Sequence, residues 1–214
     1  MKFGKAAAGD PSKPSGKDAP LGFQRHSSGF DQFCSALQTP EGGMSVLDMS
    51  GASQANIVFL TGFGHRVSSD DIIGAMQQSF ADNFHENQQS ASNAQRFLDQ
   101  ALAFPDDSFD GILVWDALQF LSPPLLNQVV AQFLRIMRPK GVMLAFFSSS
   151  EKTTALPVYT YRIADRKTLS LIPRAGEQRI QYYNNRFLEK LFENASSLKF
   201  FLTRDHLREV LVRK

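Results

Sequence analysis

Between residues 44 and 147 the chain alternates two kinds of apolar pattern. Short continuous runs, MSVLDM (44–49), GILVW (111–115) and VMLAFF (142–147), predict strands, the last two buried on both faces. Between them, apolar residues recur three and four apart, the spacing of one helix face. ANIVFLTGFG predicts a short helix closed by Gly62 or Gly64. HRVSSDD gives a short, weak strand, and DIIGAMQQSFADNF a helix with Ile72, Ile73, Met76 and Phe80 on one side. ENQQSASN is polar and loop-like. AQRFLDQAL (94–102) has helical spacing, with a strand as the open alternative. FPDDSFD is a turn. Ser122 is placed to cap a helix whose first turn takes Pro123 and Pro124, where a missing N–H costs nothing. Leu126, Val129, Val130, Phe133, Leu134 and Met137 form its stripe. RPKG ends it: Pro139 cannot continue a helix and Gly141 permits a left-handed turn.

Outside this block the pattern changes. Residues 1–25 are rich in Lys, Gly, Pro, Ser and Ala and predict a disordered tail, leaving 26–214 as a single domain. SSGFDQFCSALQTP predicts a helix capped by Ser28 with Phe30, Phe33 and Leu37 on one face. PVYTYRIADRKTLSLIPR alternates on both sides of Asp165–Lys167, with Tyr159, Tyr161 and Ile163 facing one way. That is a hairpin, within an insertion at 148–180. IQYYNNRFLEKLFENA predicts a helix with Tyr183, Phe187 and Leu191 inward. LKFFLTRD and REVLVRK are closing strands too closely joined for a crossover, so one of them runs antiparallel. The fold class predicted is α/β: a doubly wound, mostly parallel sheet with an antiparallel C-terminal strand.

Composition narrows the function classes. No apolar run approaches a membrane span, and the start MKFGKAAAGDPSK lacks the apolar core of a secretory signal. A single cysteine, Cys34, excludes an internal disulfide; a reducing cytoplasm is the expected compartment. The four histidines are scattered without partners at metal-ligand spacing, so no metal is expected. Net charge is +2, but residues 1–134 carry −7 and residues 135–214 carry +9. The halves are expected to interleave and pair in one fold; no long basic run or aromatic–basic motif indicates nucleic acid.

In sheets of this class, ligands bind beyond the carboxyl ends of the strands. Asp48 ends the first strand and serves either a cofactor or its own loop. Ser50, Gly51, Ala52 and Ser53 are small enough for a ligand to approach the backbone N–H groups and the next helix N-terminus. Asp70 and Asp71 end the second strand; a carboxylate there matches the vicinal hydroxyls of a ribose, or caps the following helix. Asp99 or Gln100 is a candidate reader of an adenine amino group, a reading that weakens if that stretch is helical. Trp115 and Asp116 end the central strand, as pocket wall or core and as substrate contact or turn cap.

Together these residues resemble the class I, Rossmann-like S-adenosylmethionine-dependent methyltransferases, clearly over residues 44–147. The most specific part is LAFPDDSFDGILVWDALQFLSPP…VVAQFLRIMRPKGVMLAFF, similar to the family's turn, central strand, helix and fifth strand. The cofactor loop departs from the pattern V-L-D-x-G-x-G-x-G: Ser50, Ala52 and Gln54 stand where the family has glycine. The usual E-H pair after the fourth strand is Gln119 and Phe120 here. The resemblance implies S-adenosyl-L-methionine as cofactor and methyl transfer to an unidentified acceptor. Asp48 and Ser50–Ser53 would hold the methionine part, Asp71 the ribose, and Trp115 and Asp116 would border the transfer site. Tyr159, Tyr161 and Arg162 are the substrate candidates, in a hairpin that is also a candidate lid or homodimer surface. The alternative, motivated by the lost glycines, is a non-catalytic scaffold or regulatory protein.

Overall fold

The computed structural model describes residues 22–38, 43–203 and 205–214. Most of the predicted tail lies outside these residues; its last part is not a tail, because Phe23–His26 forms a strand, β1. The remaining strands are β2 (Ser45–Asp48), β3 (Arg66–Ser69), β4 (Phe109–Trp115), β5 (Met137–Ser148), β6 (Ala155–Ile163), β7 (Thr168–Arg179), β8 (Ser197–Leu202) and β9 (Leu207–Arg213). The helices are α1 (Ser28–Ala36), α2 (Gln54–Gly62), α3 (Ile72–Phe80), α4 (Phe84–Asn87), α5 (Ala91–Gln100), α6 (Pro123–Ile136) and α7 (Asn185–Leu191), with a 3-10 turn at Ala117–Phe120.

Six strands form one sheet in the order β3-β2-β4-β5-β9-β8. The first four are parallel, and β9 runs antiparallel to both neighbours, as its short connection to β8 requires. The sheet carries a separate core on each side. One gathers Ile72, Met76 and Phe80 of α3, Phe97 of α5 and Leu126, Val129 and Phe133 of α6. The other gathers Phe30 and Phe33 of α1, Leu60 of α2 and four hairpin residues: Tyr161, Ile163, Leu169 and Leu171. The hairpin is held in place by β1, which pairs with β7 to complete a three-stranded sheet, β1-β7-β6. The insertion at 148–180 therefore contributes to both cores, Val158 and Ile180 belonging to the first.

Three local expectations are corrected. Residues 94–102 are helical up to Gln100, because the stripe of α5 is buried on α3, with Phe97 and Phe80 ring centroids 5.2 Å apart. This leaves β3 as the sheet edge. The left-handed residue after α6 is Lys140, with φ of 68°, and not Gly141. Gly141 is needed for closeness instead: a Cβ there would lie 2.6 Å from the Met137 side chain. Finally, the helix expected from Ile180 starts at Asn185, where the Asn184 side chain accepts from the Phe187 N–H. Tyr183 lies before the helix and donates its hydroxyl to the Leu121 carbonyl at 2.6 Å.

Candidate functional site

The strand ends that were expected to hold a ligand hold the protein's own hairpin. Asp48 is fully enclosed, with 0% of its surface exposed. Its Oδ1 accepts from the Ser50 N–H (3.1 Å), the Ser50 hydroxyl (2.9 Å) and the Trp115 indole N–H (2.7 Å). Its Oδ2 accepts from Asn56 Nδ2 at 2.6 Å. A buried carboxylate is tolerable only when hydrogen-bonded in this way. Of the two readings open for Asp48, the structure displays the loop-holding one.

Asn56 joins this cluster to the hairpin. Its Nδ2 also donates to the Tyr161 carbonyl (3.1 Å), and its Oδ1 accepts from the Ile163 N–H (2.8 Å). The helix start is fixed by Ser53, whose side chain caps α2. Above Asp48 the Tyr161 ring stacks on Trp115, centroids 4.9 Å apart and 7° from parallel. Trp115 reaches this position through a backbone irregularity: β4 shifts register between Leu113 and Trp115, and Trp115 has φ of 60°. A bulky residue in the left-handed region is costly and needs compensation. The indole bond to Asp48 and the Tyr161 stack provide it.

The loop after β2 is also stitched to the end of β3. Ser50 and Asp71 form an isolated antiparallel bridge, and the Gly51 N–H donates to the Asp70 carbonyl at 2.9 Å. Gly51 has φ of 84°, so the turn requires this glycine. The Asp70 side chain accepts from the Asp71 N–H at 2.7 Å. Asp71 caps α3 through the Gly74 N–H (2.9 Å) and makes a two-pronged ion pair with Arg174 of β7. Burial pushes the Asp71 carboxyl up, but the hydrogen bonds from Arg174 and Gly74 outweigh it and hold the pKa below the usual carboxylate range. We expect Asp71→Ala to lose about 1–2 kcal/mol of stability in urea denaturation, the cost of a cap plus a half-exposed ion pair. An Asp71 reserved for a ligand would leave stability unchanged.

The remaining candidates divide. Asp99 is exposed on α5, where it accepts from Gln95, and Gln100 lies on the same helix; neither approaches the strand ends. The adenine-reading expectation is thereby weakened, because the stretch is helical. Ala52 is an exposed loop residue and Gln54 an exposed helix residue; Gln54 does not enter the crevice. Arg162 is half-buried and its Nη1 has no hydrogen-bond partner among the described residues. Asp116 is 3% exposed, beside the Tyr161 hydroxyl. Burial pushes its carboxyl up to about 7, against the opposing pull of Tyr161 and Arg25. Sequence reasoning missed Asn56 and Arg174. The only signal for Asn56 is one amide in the apolar run ANIVFL; for Arg174 there is none.

Residues 47–145 match the family model described as "Methyltransferase domain". This stretch is similar to that methyltransferase family over its matched length. No curated protein matches the chain. Several solved structures are similar. A protein of Pyrococcus horikoshii is 15% identical, with 84% of this chain and 86% of that one covered and a TM-score of 0.49. A Methanosarcina mazei S-adenosylmethionine-dependent methyltransferase is 14% identical over 86% of this chain and 96% of that one, TM-score 0.49. The Burkholderia thailandensis 1,6-didemethyltoxoflavin-N1-methyltransferase, solved with bound 1,6-didemethyltoxoflavin and S-adenosylhomocysteine, is 15% identical over 87% of this chain and 78% of that one, TM-score 0.47.

S-adenosyl-L-methionine is the methyl donor of this domain family. In this chain the strand-end residues do not fit it. The Asp48 carboxylate has no free face, the Tyr161 carbonyl lies against Ser50 and Asn56, and Arg174 takes both oxygens of Asp71. Admitting a nucleoside would require the hairpin to leave. Re-exposing Tyr161, Ile163, Leu169 and Leu171, at about 1.5–3 kcal/mol each, costs about 6–12 kcal/mol. Binding at micromolar affinity supplies about 8 kcal/mol. Among the described residues no helix is long and apolar enough to cross a membrane, and no cluster of three His, Cys, Asp or Glu side chains is placed to hold a metal.

Proposed function

We propose that this chain is a non-catalytic member of the methyltransferase fold, a scaffold or regulatory protein whose hairpin occupies the cofactor position. The observation that carries this reading is the enclosure of Asp48, every contact of its carboxylate being made by the chain itself, with Tyr161 stacked on Trp115 above it. The three lost glycines of the loop support it from the sequence side. Calorimetric titration of S-adenosylhomocysteine is the test, and no binding is expected up to about 1 mM, the weakest affinity such a titration needs to resolve.

A second reading is methyl transfer to an unidentified acceptor by a form in which the hairpin has moved away. It is favoured by the retention of Asp48 and Asp71 at the two strand ends where the family places its carboxylates. In that case S-adenosylhomocysteine binds, and Trp115, the single tryptophan, changes its fluorescence as Tyr161 leaves it. Saturable binding with that signal would replace the first reading by the second.

A further inference from the structure

A cavity of about 290 Å³ lies between the carboxyl ends of β4 and β5 and the small sheet, close to the lower limit of small-ligand sites. Leu156, Tyr159 and Tyr161 of the hairpin line one side of it, and Phe23 of β1 lines another. Phe23 and Tyr159 meet edge to face, with centroids 5.5 Å apart and planes at 88°, so their rings form a corner rather than a flat wall.

Asp116 is the charge in this cavity that nothing balances. It lines the space, and 3% of its surface is exposed. Its carboxyl has one side-chain donor, the Tyr161 hydroxyl, and neither oxygen is among the buried atoms sealed from solvent without a partner. A carboxylate accepts about four hydrogen bonds, so acceptor capacity remains. Arg25 also lines the cavity, but its guanidinium is directed at Asp205 (3.1 Å) and the Thr203 hydroxyl (3.2 Å). The charges of Arg25 and Asp205 cancel, and Asp116 takes part in no ion pair among the described residues. The other titratable groups nearby are Tyr159 and Tyr161 of β6, His206 of the turn before β9, and Glu209 of β9, which interacts with Arg25. An ionised Asp116 therefore leaves one negative charge uncompensated, and burial pushes its carboxyl up to about 7. A bound cation would take the place of that proton.

We propose that this cavity binds a small primary amine as its ammonium ion, the N–H groups donating to the Asp116 carboxylate and the Tyr161 hydroxyl oxygen, and the apolar body lying along Phe23, Leu156 and Tyr159. Charge sets the class. An anion would be repelled by Asp116, and a neutral molecule would leave the carboxylate uncompensated. A primary amine suits the site better than a quaternary one, because N–H groups make charge-assisted hydrogen bonds to a carboxylate. The aromatic corner adds attraction for a cation. The site lies outside the cofactor position, but it rests on the closed crevice, because a displaced hairpin would remove Leu156, Tyr159 and Tyr161 from the wall.

The test uses the full chain, calorimetry and two probes of one shape: benzylamine, an ammonium ion at both pH 6 and pH 8, and benzyl alcohol, its neutral counterpart. At pH 8 benzylamine is expected to bind saturably at submillimolar concentration, with benzyl alcohol at least tenfold weaker. At pH 6 the folded protein holds the Asp116 proton, so benzylamine must expel it. Binding there is expected to be about tenfold weaker than at pH 8, with proton release read from the dependence of the heat on the buffer. Asp116→Asn keeps the side-chain volume and removes the charge; it is expected to abolish both the preference for the amine and the pH dependence. His206→Gln is expected to retain both, which separates the carboxyl from the imidazole on the same cavity. No benzylamine binding to the folded wild type at pH 8, equal binding of benzyl alcohol, or unchanged binding by Asp116→Asn overturns the proposal. Failure of the closed-crevice reading would appear separately, as S-adenosylhomocysteine binding with a Trp115 signal.

Discussion

Asn56→Ala unfolds at much lower urea than the wild type, with a loss of about 3–5 kcal/mol. The side chain is fully buried and makes three well-formed contacts: to the Asp48 carboxylate, the Tyr161 carbonyl and the Ile163 N–H. Truncation leaves a buried carboxylate oxygen short of its strongest donor and a buried hairpin N–H with no partner. Each orphan costs about 1–3 kcal/mol, and the charged one lies at the upper end. The effect should also localise. Amide hydrogen exchange is expected to accelerate first in the Ala155–Arg179 hairpin, before the six-stranded sheet. A loss under about 1 kcal/mol would mean that the hairpin sits on the crevice without being anchored to it, and the non-catalytic reading would lose its basis.

Asp116→Asn raises stability at neutral and alkaline pH, and the gain grows with pH. The folded carboxyl is pushed up to about 7 by burial, whereas the group starts from an ordinary value of 3.8. Between these values the folded protein keeps a proton that the unfolded chain releases, so stability falls as pH rises through that window. Below it the wild type carries no penalty and the variant no advantage. Above it the wild type holds a buried negative charge beside Tyr161, and the amide removes that charge at nearly the same volume. Linkage over this interval gives about 2–4 kcal/mol in favour of Asp116→Asn at pH 8. Glu209, also raised by burial and opposed by its contacts with Gly29 and Ser27, leaves the variant a residual slope of the same sign. Parallel pH–stability curves for the two proteins would show that Asp116 ionises as an exposed carboxylate does.

The two variants probe opposite sides of one wall. Tyr161 contributes its carbonyl to Asn56 and its ring to Trp115, while its hydroxyl lies beside Asp116. The hairpin at the strand ends therefore also lines the cavity beside them.

The alternation of strands and helices from 44 to 147 was legible because each element carries its own period. GILVW and VMLAFF are continuous because both faces of their strands are covered, and the stripe of α6 repeats because one face meets the sheet. Capping was less legible: Asp71 closes α3 as one of its two expected readings, but α1 is capped by Ser27 rather than Ser28, and Ser122 stands before α6 without a side-chain cap bond. The helix at Ala91–Gln100 was undecided because its stripe is short, and the contact with α3 that fixes it comes from another element.

The sequence by itself determined the methyltransferase architecture, the hairpin after the fifth strand and the loss of glycine from the loop after Asp48. Those features are written in patterns a few residues long. Only the tertiary structure decided what fills the crevice. Whether Asp48 and Asp71 face a ligand or their own chain depends on Asn56 and Tyr161, which stand 8 and 113 positions from Asp48, and on Arg174, 103 positions from Asp71, all brought there only by folding. No local period encodes such meetings, because hydrogen bonds between distant residues are selected by packing and by the cost of leaving a buried polar group alone.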